Sequence, residues 1–395
     1  MFDTLQQAPA DKIIGLIGLY RDDPREGKVD LGVGVYRDAA GATPIIGAVR
    51  KAEQMLHDTQ TTKAYLGLTG DAAFNHAIAK MVLGDALDEA RVRACQAPGG
   101  SGALRIIAEL LVMAAPGATI WMSDPTWANH VPLITSAGLK ADKYPYFDAA
   151  SGTVRFDAMM DTLGKAPAGD IVLLHGCCHN PTGANLTADQ WEAVADLVAE
   201  RGLLPFVDLA YQGFGDGLDE DAAGVRTLAA RVPEMVVAVS CSKNFSVYRE
   251  RTGVAIVMGR NAKEADISLS QLGSVGRRMY SMPPDHGAAV VRTVLEDGAL
   301  HGEWHAELTQ MRERMLALRT GLADALRRQS NSDRFDFLAV HRGMFSRLGL
   351  TLEQVQRLRS EHAIYMVDDS RINVAGLPDE RLDQVAAAIV SVLGD

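Results

Sequence analysis

Runs of apolar residues, each short enough for one strand, alternate with longer stretches of helical periodicity along the centre of the chain. VRACQAP precedes GALRIIAELLVMAA, ATIWMS precedes a helical stretch that ends near Ala137, LKADKYPY precedes a helix from Phe156, and DIVLLHG precedes TADQWEAVADLVAERG. LLPFVDLA, MVVAVS and TGVAIVM complete seven predicted strands. Because such alternation requires crossover connections, it predicts an α/β fold with a mostly parallel seven-stranded sheet flanked by helices.

The pattern changes after about residue 300. HGEWHAELTQMRERMLALRTGLADALRR predicts one long helix at about 301–329, placed to link or brace two units. FDFLAV, MFSRLGL, IYMV and RINVAGL follow, with helical stretches at about 351–362 and 378–393, and they predict a smaller α+β domain. Upstream, TADQ marks the start of a helix in the large unit, with Thr187 as N-cap and Gln190 reaching back.

The length of the chain, 395 residues, exceeds the size at which one hydrophobic core usually stops growing. We therefore expect an N-terminal arm that joins part of the small domain (1–44), a large domain (45–305) and a C-terminal small domain (306–395). The first 45 residues contain LGVGVY but no alternating pattern of their own. We expect them to pack on the small domain or on a partner subunit.

Composition and charge narrow the possible functions. Apolar residues make up 47% of the chain and the formal net charge is −11, which argues against nucleic acid or an anionic membrane as a partner. The most apolar long stretch, 106–122, is interrupted by Glu109, Pro116 and Gly117, and is too broken to span a bilayer. MFDTLQQAPADK has no basic segment followed by an apolar core, so we expect no secretory signal.

The four cysteines are too few for a disulfide scaffold in a chain of this length. The adjacent pair, Cys177 and Cys178, also lacks the spacing of a zinc site. We therefore expect reduced thiols, a cytoplasmic location and no bound metal.

Five predicted strands end in polar, glycine or aromatic residues. The segments at these ends are GGSG (99–102), DPTWANH (124–130), CCHNPTG (177–183), DLAYQGF (208–214) and CSK (241–243). In open α/β sheets, ligands bind in the crevice outside the carboxyl ends of the strands. The five segments therefore predict one shared site.

GGSG opens a predicted helix, where bare amides and a hydroxyl suit a phosphate group. A dinucleotide site would use the same corner, and Asp124 lies at about the distance expected for its acidic residue. The position of the third glycine in that fingerprint is occupied by Arg105, which argues against NAD binding. A plain tight turn is the alternative for this stretch.

Asp208 follows the apolar run LLPFV, so we expect its carboxylate to be at least partly buried. A buried carboxylate needs a cation or a donor, and His130 or a cationic ligand atom would serve. A helix cap or an internal salt bridge is the structural alternative. Tyr211, three residues later, is either a packing residue or a phenol directed at the same ligand.

SCSKNFSVYRERTG (240–253) brings Lys243 and two arginines to the end of a buried strand. A solvated basic turn is the simplest explanation. Beside other cations in a partly dry site, however, Lys243 would have a depressed pKa and attack carbonyls. Ser240 and Arg251, with GGSG, suit one phosphate. A lysine for a Schiff base, Asp208 for a pyridinium nitrogen and a phosphate cup together predict a pyridoxal phosphate site.

Over essentially its whole length the chain resembles the fold-type I pyridoxal-phosphate aminotransferases of the aspartate and aromatic amino-acid branch. Bacterial aromatic amino-acid aminotransferases are the nearest likeness. The stretches that carry the resemblance, in the expected order, are LGVGVYRD, TTKAYLGLTG, PGGSGALR, DPTWANH, GCCHNPTGANLT, DLAYQGF, SCSKNFSVYRERTG, MYSMPPDHG and DSRINVAGL.

The resemblance implies that Lys243, Asp208 and Tyr211 are catalytic. Lys243 would bond the cofactor aldehyde and carry the substrate Cα proton, and Asp208 would pair with the ring nitrogen, supported by His130. The other implied cofactor contacts are Trp127 stacked on the ring, Asn180 and Tyr211 at the phenolic oxygen, Gly100, Ser101, Ser240 and Arg251 at the phosphate, and Tyr65 reaching the phosphate from the second subunit of a homodimer.

For the substrate, the resemblance implies that Arg371 holds the α-carboxylate through two parallel hydrogen bonds. Arg277, from the partner subunit, would pair with the distal carboxylate of a dicarboxylic substrate; the spacing to MYSMPP favours it over Arg278. Gly34, within LGVGVY, lies on a segment expected to close over the substrate. Trp127 and Asn180 are implied as substrate contacts too.

The implied reaction moves an amino group from aromatic amino acids and aspartate or glutamate to 2-oxo acids such as 2-oxoglutarate and oxaloacetate, in two half-reactions. The alternatives are an aspartate-only aminotransferase, a pyridoxal-phosphate lyase on the same fold and a catalytically inactive regulator. Aspartate-directed members tend to have threonine where this chain has Ser101 and asparagine where it has Met282, and asparagine is common at the position of Ala64. These smaller or less polar residues favour dual specificity.

Overall fold

The predicted alternation of strands and helices is confirmed in the computed structural model, which describes residues 2–7 and 12–394. Met1, residues 8–11 and Asp395, which belong to the expected arm and small domain, lie outside the described residues. In chain order, the strands are β1 (Val29–Asp30), β2 (Val92–Pro98), β3 (Thr119–Asp124), β4 (Lys140–Pro145), β5 (Phe147–Asp148), β6 (Thr153–Val154), β7 (Ile171–His175), β8 (Leu204–Leu209), β9 (Met235–Ser240), β10 (Thr252–Met258), β11 (Phe345–Arg347), β12 (Ile364–Tyr365) and β13 (Arg371–Asn373).

The seven longest of these strands form one sheet in the order β2-β10-β9-β8-β7-β3-β4. Only β10 runs antiparallel to its neighbours β2 and β9, so the sheet is mostly parallel, as predicted. The register of β7 against β8 places His175 beside Asp208. The carboxyl ends of the central strands therefore meet along one edge, as the site prediction requires.

Helices connect the strands and cover both faces of the sheet. In chain order, they are α1 (Lys12–Asp22), α2 (Gly47–Thr59), α3 (Ala72–Leu83), α4 (Gly99–Ala114), α5 (His130–Ala137), α6 (Phe156–Leu163), α7 (Ala188–Arg201), α8 (Leu218–Arg231), α9 (Ala262–Met279), α10 (His286–Glu296), α11 (Gly298–Ser330), α12 (Phe337–Val340), α13 (Leu352–His362) and α14 (Leu382–Ser391). The predicted capping box of α7 is present, since Thr187 and Gln190 bond reciprocally.

Two of the helices that the sequence pattern did not predict are α12 and α1. Part of FDFLAV forms the short helix α12. The other is α1, whose sequence KIIGLIGLYRD contains two glycines and apolar residues on several sides. Because Ile14 is 69% exposed while Leu16 is buried, the apolar positions of α1 do not follow a single buried stripe, and periodicity does not reveal the helix.

The central strands of the sheet are covered on both faces, which explains why their sequences are continuous apolar runs. Every residue of β9 and β10 is buried. Alternate residues belong to different clusters: Val237 and Val239 pack on one face of the sheet, whereas Val236 and Ala238 pack on the other. A strand with both faces covered has no polar side, so it cannot show the two-residue alternation of a surface strand.

A separate apolar cluster joins two distant parts of the chain. Val29 and Leu31 pack with buried residues between Leu318 and Val392, and β1 pairs in parallel with β12. This packing agrees with an N-terminal arm that lies on the C-terminal unit. The boundary expected between residues 305 and 306 falls inside the continuous helix α11, and the three domain limits stay a prediction.

A bilayer span would need a long, strongly apolar helix, and no helix in the described part of the chain meets that requirement.

Candidate active site

A cavity of about 280 Å³ lies at the carboxyl ends of the central strands. Most of the residues that the sequence singled out line this cavity. They are Gly34, Gly100, Ser101, Trp127, Asn180, Asp208, Tyr211, Ser240, Lys243, Arg251 and Arg371. The structure therefore brings together side chains that are spread over 338 positions of the chain, from 34 to 371.

Lys243 stands three residues beyond the last position of β9, in a tight turn in which the Ser246 N–H donates to the Lys243 carbonyl. Its Nζ lies 4.7 Å from the centre of the Tyr211 ring. Burial lowers the pKa of Lys243 to about 8; the Asp208 carboxylate opposes this shift and the Arg251 cation adds to it. The amine is thus partly neutral near physiological pH, which a nucleophile toward carbonyls requires.

Asp208, at the end of β8, is held by a chain of hydrogen bonds. Its Oδ2 lies 2.9 Å from His130 Nε2, His130 Nδ1 lies 2.8 Å from Thr126 Oγ1, and the same hydroxyl lies 3.1 Å from His175 Nε2. Since Thr126 has one hydroxyl hydrogen, it donates to one imidazole and accepts from the other, which orients both rings. His130 thus bonds to Asp208 without lining the cavity itself, and its supporting role stays a prediction.

The surroundings of Asp208 favour its charged form. Burial by itself raises the pKa of this carboxyl, but the hydrogen bond from His130 and the nearby His130, His175 and Lys243 together bring it below the usual value. Burial lowers the pKa of His175 to about 3, so this imidazole is neutral at physiological pH. The result is a buried anion directed into the cavity, suited to a protonated ring nitrogen.

The start of α4 forms a cup with the turn after β9. A Cβ on Gly99, whose φ is +71°, would lie 2.6 Å from Arg251 Nη2, and a Cβ on Gly100 would lie 2.9 Å from Ser240 Cβ. Arg251 Nη1 donates to the Tyr248 carbonyl at 2.8 Å, which orients the guanidinium. Bare amides, a hydroxyl and a guanidinium thus meet at a helix N-terminus, as a phosphate monoester requires.

Arg371 lies on the opposite wall of the cavity, on β13, and is 7% exposed. Its Nη2 donates to the Gly32 carbonyl at 2.9 Å, its Nη1 lies 3.4 Å from Asn180 Oδ1, and its Nε has no partner. The guanidinium carbon stands 4.5 Å from the centre of the Phe345 ring. In the described part of the chain no carboxylate forms a salt bridge with Arg371, so a buried cation faces the cavity without a counter-ion.

Asn180 and Tyr211 occupy the wall between Lys243 and Arg371. Asn180 Nδ2 lies 3.5 Å from the Tyr211 hydroxyl, and burial raises the pKa of that phenol. Gly34 belongs to a segment that crosses over this wall: Asn373 Nδ2 donates to the carbonyls of residues 33 and 35, at 2.6 and 2.7 Å. Asn180 and Tyr211 are together placed to contact one oxygen atom inside the cavity.

Besides His130, two predicted residues lie outside the cavity of their own chain. Tyr65 is 89% exposed, and the exposed Arg277 donates to Ser281 near the end of α9. Their roles, assigned across an interface, stay a prediction.

Several cavity residues were missed by the sequence argument. His175 is the last residue of β7, so the reading of strand ends could have included it. Tyr248 accepts a hydrogen bond from the Tyr36 N–H at 2.9 Å, but nothing local distinguishes it from a packing tyrosine. Phe345 and Ile13 come from the small unit and from α1, where no strand-end rule applies.

The adjacent cysteines also lie close to a carboxylate. Ligand atoms of Cys177, Cys178 and Asp221 fall within 4.8 Å of one another. The Asp221 carboxylate, however, already accepts three backbone N–H groups from residues 213–216. This cluster is therefore explained by its structural role in the turn before α8.

A nucleophilic lysine at a strand end, a buried carboxylate backed by imidazole and a phosphate cup, on a mostly parallel sheet, define a pyridoxal-phosphate enzyme. Comparison with known proteins identifies its family. Residues 26–389 match the family described as aminotransferase class I and II. The chain therefore belongs to the class I and II aminotransferases, and it is a pyridoxal-phosphate-dependent transaminase.

Individual relatives agree with this assignment. The chain is 51% identical over 392 residues to the aromatic-amino-acid aminotransferase of Paracoccus denitrificans, with 99% of this chain and 100% of the relative covered. It is 44% identical over 396 residues to the aspartate aminotransferase of Escherichia coli strain K12, with 100% of each covered. A solved aromatic-amino-acid aminotransferase from Burkholderia pseudomallei, covalently bound to pyridoxal phosphate, matches with a TM-score of 0.97 at 43% identity, over 100% of both chains.

Proposed function

We propose that this transaminase moves amino groups between aromatic amino acids, aspartate or glutamate and 2-oxo acids such as 2-oxoglutarate. The observation that carries the proposal is the buried guanidinium of Arg371, without a counter-ion, in the same cavity as the amine of Lys243. An amino acid presents a carboxylate and an amine on one carbon, and the two side chains match these groups. The names of the relatives supply the two substrate classes.

Bound pyridoxal phosphate supplies an aldehyde that takes up the amino group and a protonated ring that withdraws electrons from the substrate Cα. The phosphate cup formed by Gly100, Ser101, Ser240 and Arg251 anchors it. Asp208, kept ionised by His130, holds the proton on the ring nitrogen. Lys243 Nζ, as a neutral amine, would accept the proton from the substrate Cα.

The remaining residues orient the substrate. Arg371 binds the α-carboxylate, since two parallel N–H groups match its oxygens, and the carboxylate replaces the present contact with the Gly32 carbonyl. Trp127 lines the cavity and supplies a flat apolar wall for a ring. Asn180 and Tyr211 donate hydrogen bonds to an oxygen between Lys243 and Arg371. These positions restrict the Cα–H bond to an orientation from which Lys243 can reach the hydrogen.

We also propose that the enzyme is a cytoplasmic homodimer in which each cavity is completed by Tyr65 and Arg277 of the partner subunit. Both residues are exposed and lie outside the cavity of their own chain. Exposed apolar residues on α1, including Ile17 and Leu19, and Leu68 near Tyr65, agree with surface that a second copy covers.

The decisive test is a panel of amino donors with 2-oxoglutarate. We expect turnover of phenylalanine, tyrosine and aspartate by the unmodified enzyme. Arg371→Leu is expected to lower kcat/KM about 100-fold for every donor, because all of them carry the α-carboxylate. Arg277→Leu is expected to lower kcat/KM about 100-fold for aspartate and to leave phenylalanine almost unchanged.

Arg278→Leu is the matched control for this panel, since it removes the neighbouring exposed charge on the same helix. It is expected to leave both donors unchanged. Turnover of aspartate alone would reject dual specificity. Release of ammonia or a shortened carbon skeleton, in place of a 2-oxo acid from the donor, would instead identify a lyase.

A further inference from the structure

Arg319, in the middle of α11, is a cation in the interior of the protein, 1% exposed. All of its donor nitrogens bond to one short segment, residues 338–346. Nη1 donates to Ser346 Oγ at 2.7 Å and to the Leu338 carbonyl at 3.3 Å. Nη2 donates to the Phe345 carbonyl at 2.6 Å, the Gly343 carbonyl at 2.8 Å and the Arg342 carbonyl at 3.3 Å, and Nε to the Gly343 carbonyl at 3.2 Å.

No carboxylate forms a salt bridge with Arg319 in residues 2–7 and 12–394. Burial lowers the pKa of its guanidinium to about 9; Cys178 opposes this shift and Arg342 adds to it. The side chain is therefore still charged at neutral pH, and carbonyl dipoles rather than an anion compensate the charge. Apolar residues of similar volume often stabilise an interior at least as well as buried ions do. Stability therefore does not explain a buried cation that is bonded to four carbonyls. The geometry that Arg319 imposes on residues 338–346 explains it better.

The segment that Arg319 holds forms part of the substrate cavity. Phe345 is the first residue of β11, and its ring contacts the Arg371 guanidinium at 4.5 Å and the Tyr211 ring edge-on at 6.0 Å. β11 also pairs with β13, so that Arg347 lies opposite Arg371. A shift of the Phe345 backbone would therefore move both the ring under Arg371 and the strand beside it.

The same segment touches the loop that carries Asn180. The Arg342 N–H donates to the Gly183 carbonyl at 2.9 Å. Gly183 has a φ of +77°, and a Cβ there would lie 2.2 Å from the Phe345 carbonyl oxygen, the atom to which Arg319 donates at 2.6 Å. The segment is thus held between the Asn180 loop on one side and Arg371 on the other.

We propose that Arg319 is a positioning residue for the substrate α-carboxylate: it holds the carbonyls of residues 342–345 so that Phe345 keeps Arg371 at the cavity wall, beside Asn180. This inference rests on the proposed role of Arg371. Arg319 itself does not line the cavity and touches neither substrate nor cofactor. Its effect is expected on substrate binding, while the Lys243 end of the cavity stays as it is.

The test uses the holoenzyme with Arg319→Lys, which keeps the charge but has three donors on one nitrogen and cannot reach all the acceptors. We expect KM to rise about tenfold for phenylalanine, aspartate and 2-oxoglutarate alike, the scale of one or two lost charged hydrogen bonds. We expect kcat to change about twofold or less, because contacts shared by ground state and transition state act on KM. The visible absorbance of the bound cofactor should not change.

Arg328→Lys is the matched control, since Arg328 lies on the same helix, is exposed and pairs with Asp383. It should change no constant. If Arg319→Lys does not fold, Ser346→Ala replaces it, because this change removes one acceptor and keeps the guanidinium. KM must then rise in the same direction, by about threefold or more.

Arg371→Leu, measured in parallel, separates the two possible failures. If Arg371→Leu lowers kcat/KM while Arg319→Lys or Ser346→Ala lowers only thermal stability, Arg319 is a purely structural residue and the inference is wrong. If Arg371→Leu leaves kcat/KM unchanged, the proposed function fails and the inference fails with it. A loss of cofactor absorbance in a folded Arg319→Lys enzyme would also overturn the inference, because it would place the effect at the Lys243 end.

Discussion

Burial sets the chemistry of individual side chains in this enzyme. Lys243 and Asp208 line the same cavity, and the pKa of each is lowered. A lowered pKa favours the neutral form of the lysine but the charged form of the carboxyl. Burial favours the neutral amine of Lys243, whereas the hydrogen bond from His130, with the neighbouring side chains, outweighs burial and keeps the Asp208 carboxyl charged. The cavity therefore offers a nucleophile and a fixed anion at the same pH.

The lowered pKa of Lys243 leads to a prediction about the apoenzyme. Below about pH 8 its Nζ is mostly protonated and has no lone pair, so covalent capture of pyridoxal phosphate should accelerate with pH, with a midpoint at about 8, and level off above it. Stopped-flow absorbance measures this rate, and borohydride followed by peptide mapping should place the label on Lys243. Lys243→Ala is the control and should capture nothing. A midpoint near the ordinary lysine value of 10.5 would contradict the prediction.

The same shift has a consequence for stability. Because the folded pKa lies below the unfolded one, the unfolded apoenzyme binds more protons between about pH 8 and 10.5. The contribution of Lys243 to the free energy of unfolding should accordingly become less unfavourable as pH rises through this window. The free energy of unfolding and the rate of cofactor capture should therefore both increase as pH rises through the pKa of Lys243.

At the scale of elements, the ends of helices and strands carry most of the local information. α7 and α13 begin with capping boxes, Thr187 with Gln190 and Thr351 with Gln354. Such ends stabilise a helix through contacts within four residues, so they can be recognised in the sequence. The cofactor cup at the start of α4 uses the same exposed N–H groups for binding rather than for capping.

This difference predicts that Thr187 contributes to stability and not to catalysis. Thr187→Ala removes the hydroxyl that accepts from the Gln190 N–H and should lower the free energy of unfolding by about 1 kcal/mol, with kcat and KM unchanged. Urea denaturation of the apoenzyme measures the change. The control is Thr135→Ala, whose exposed hydroxyl donates to the Val131 carbonyl within α5 and should have a smaller effect. A lower kcat at unchanged stability would refute this view of α7.

At the scale of the whole molecule, the cavity of one chain contains Lys243 and Arg371 but neither Tyr65 nor Arg277. The proposed dimer would supply both residues from the partner. In such an arrangement each site combines residues of two chains, so two inactive variants can complement one another.

Mixing therefore tests the dimer directly. Lys243→Ala and Arg277→Leu, unfolded and refolded together in equal amounts, should form hybrids in half of the dimers, each with one complete site. We expect about a quarter of the wild-type aspartate activity, whereas each variant alone is almost inactive toward aspartate.

The control mixes Lys243→Ala with Arg371→Leu. Both residues line the cavity of their own chain, so each site needs them from the same subunit. No hybrid then contains a complete site, and activity should stay near background. Equal recovery in both mixtures, or in neither, would contradict the assignment of Arg277 to the partner.

Much of the cofactor end of the site follows from local sequence. Lys243, Asp208 and the GGSG turn each come directly after an apolar run, and the ends of parallel strands must meet. The substrate end was assigned only through the family resemblance. Arg371 lies 191 positions from its neighbour Asn180, and no local pattern relates residues so far apart.

The sequence by itself determined the α/β class, the strand ends that carry chemistry and the cofactor, because each depends on periodicity or on contacts between near neighbours. Only the tertiary structure decided the reversed direction of β10, the helical state of α1 and α12, the extension of the Asp208–His130 pair through Thr126 to His175 and the burial of Arg319 against residues 338–346. These features depend on which surfaces meet after folding. Burial and pairing over long separations are properties of the packed molecule, and the order of residues does not display them.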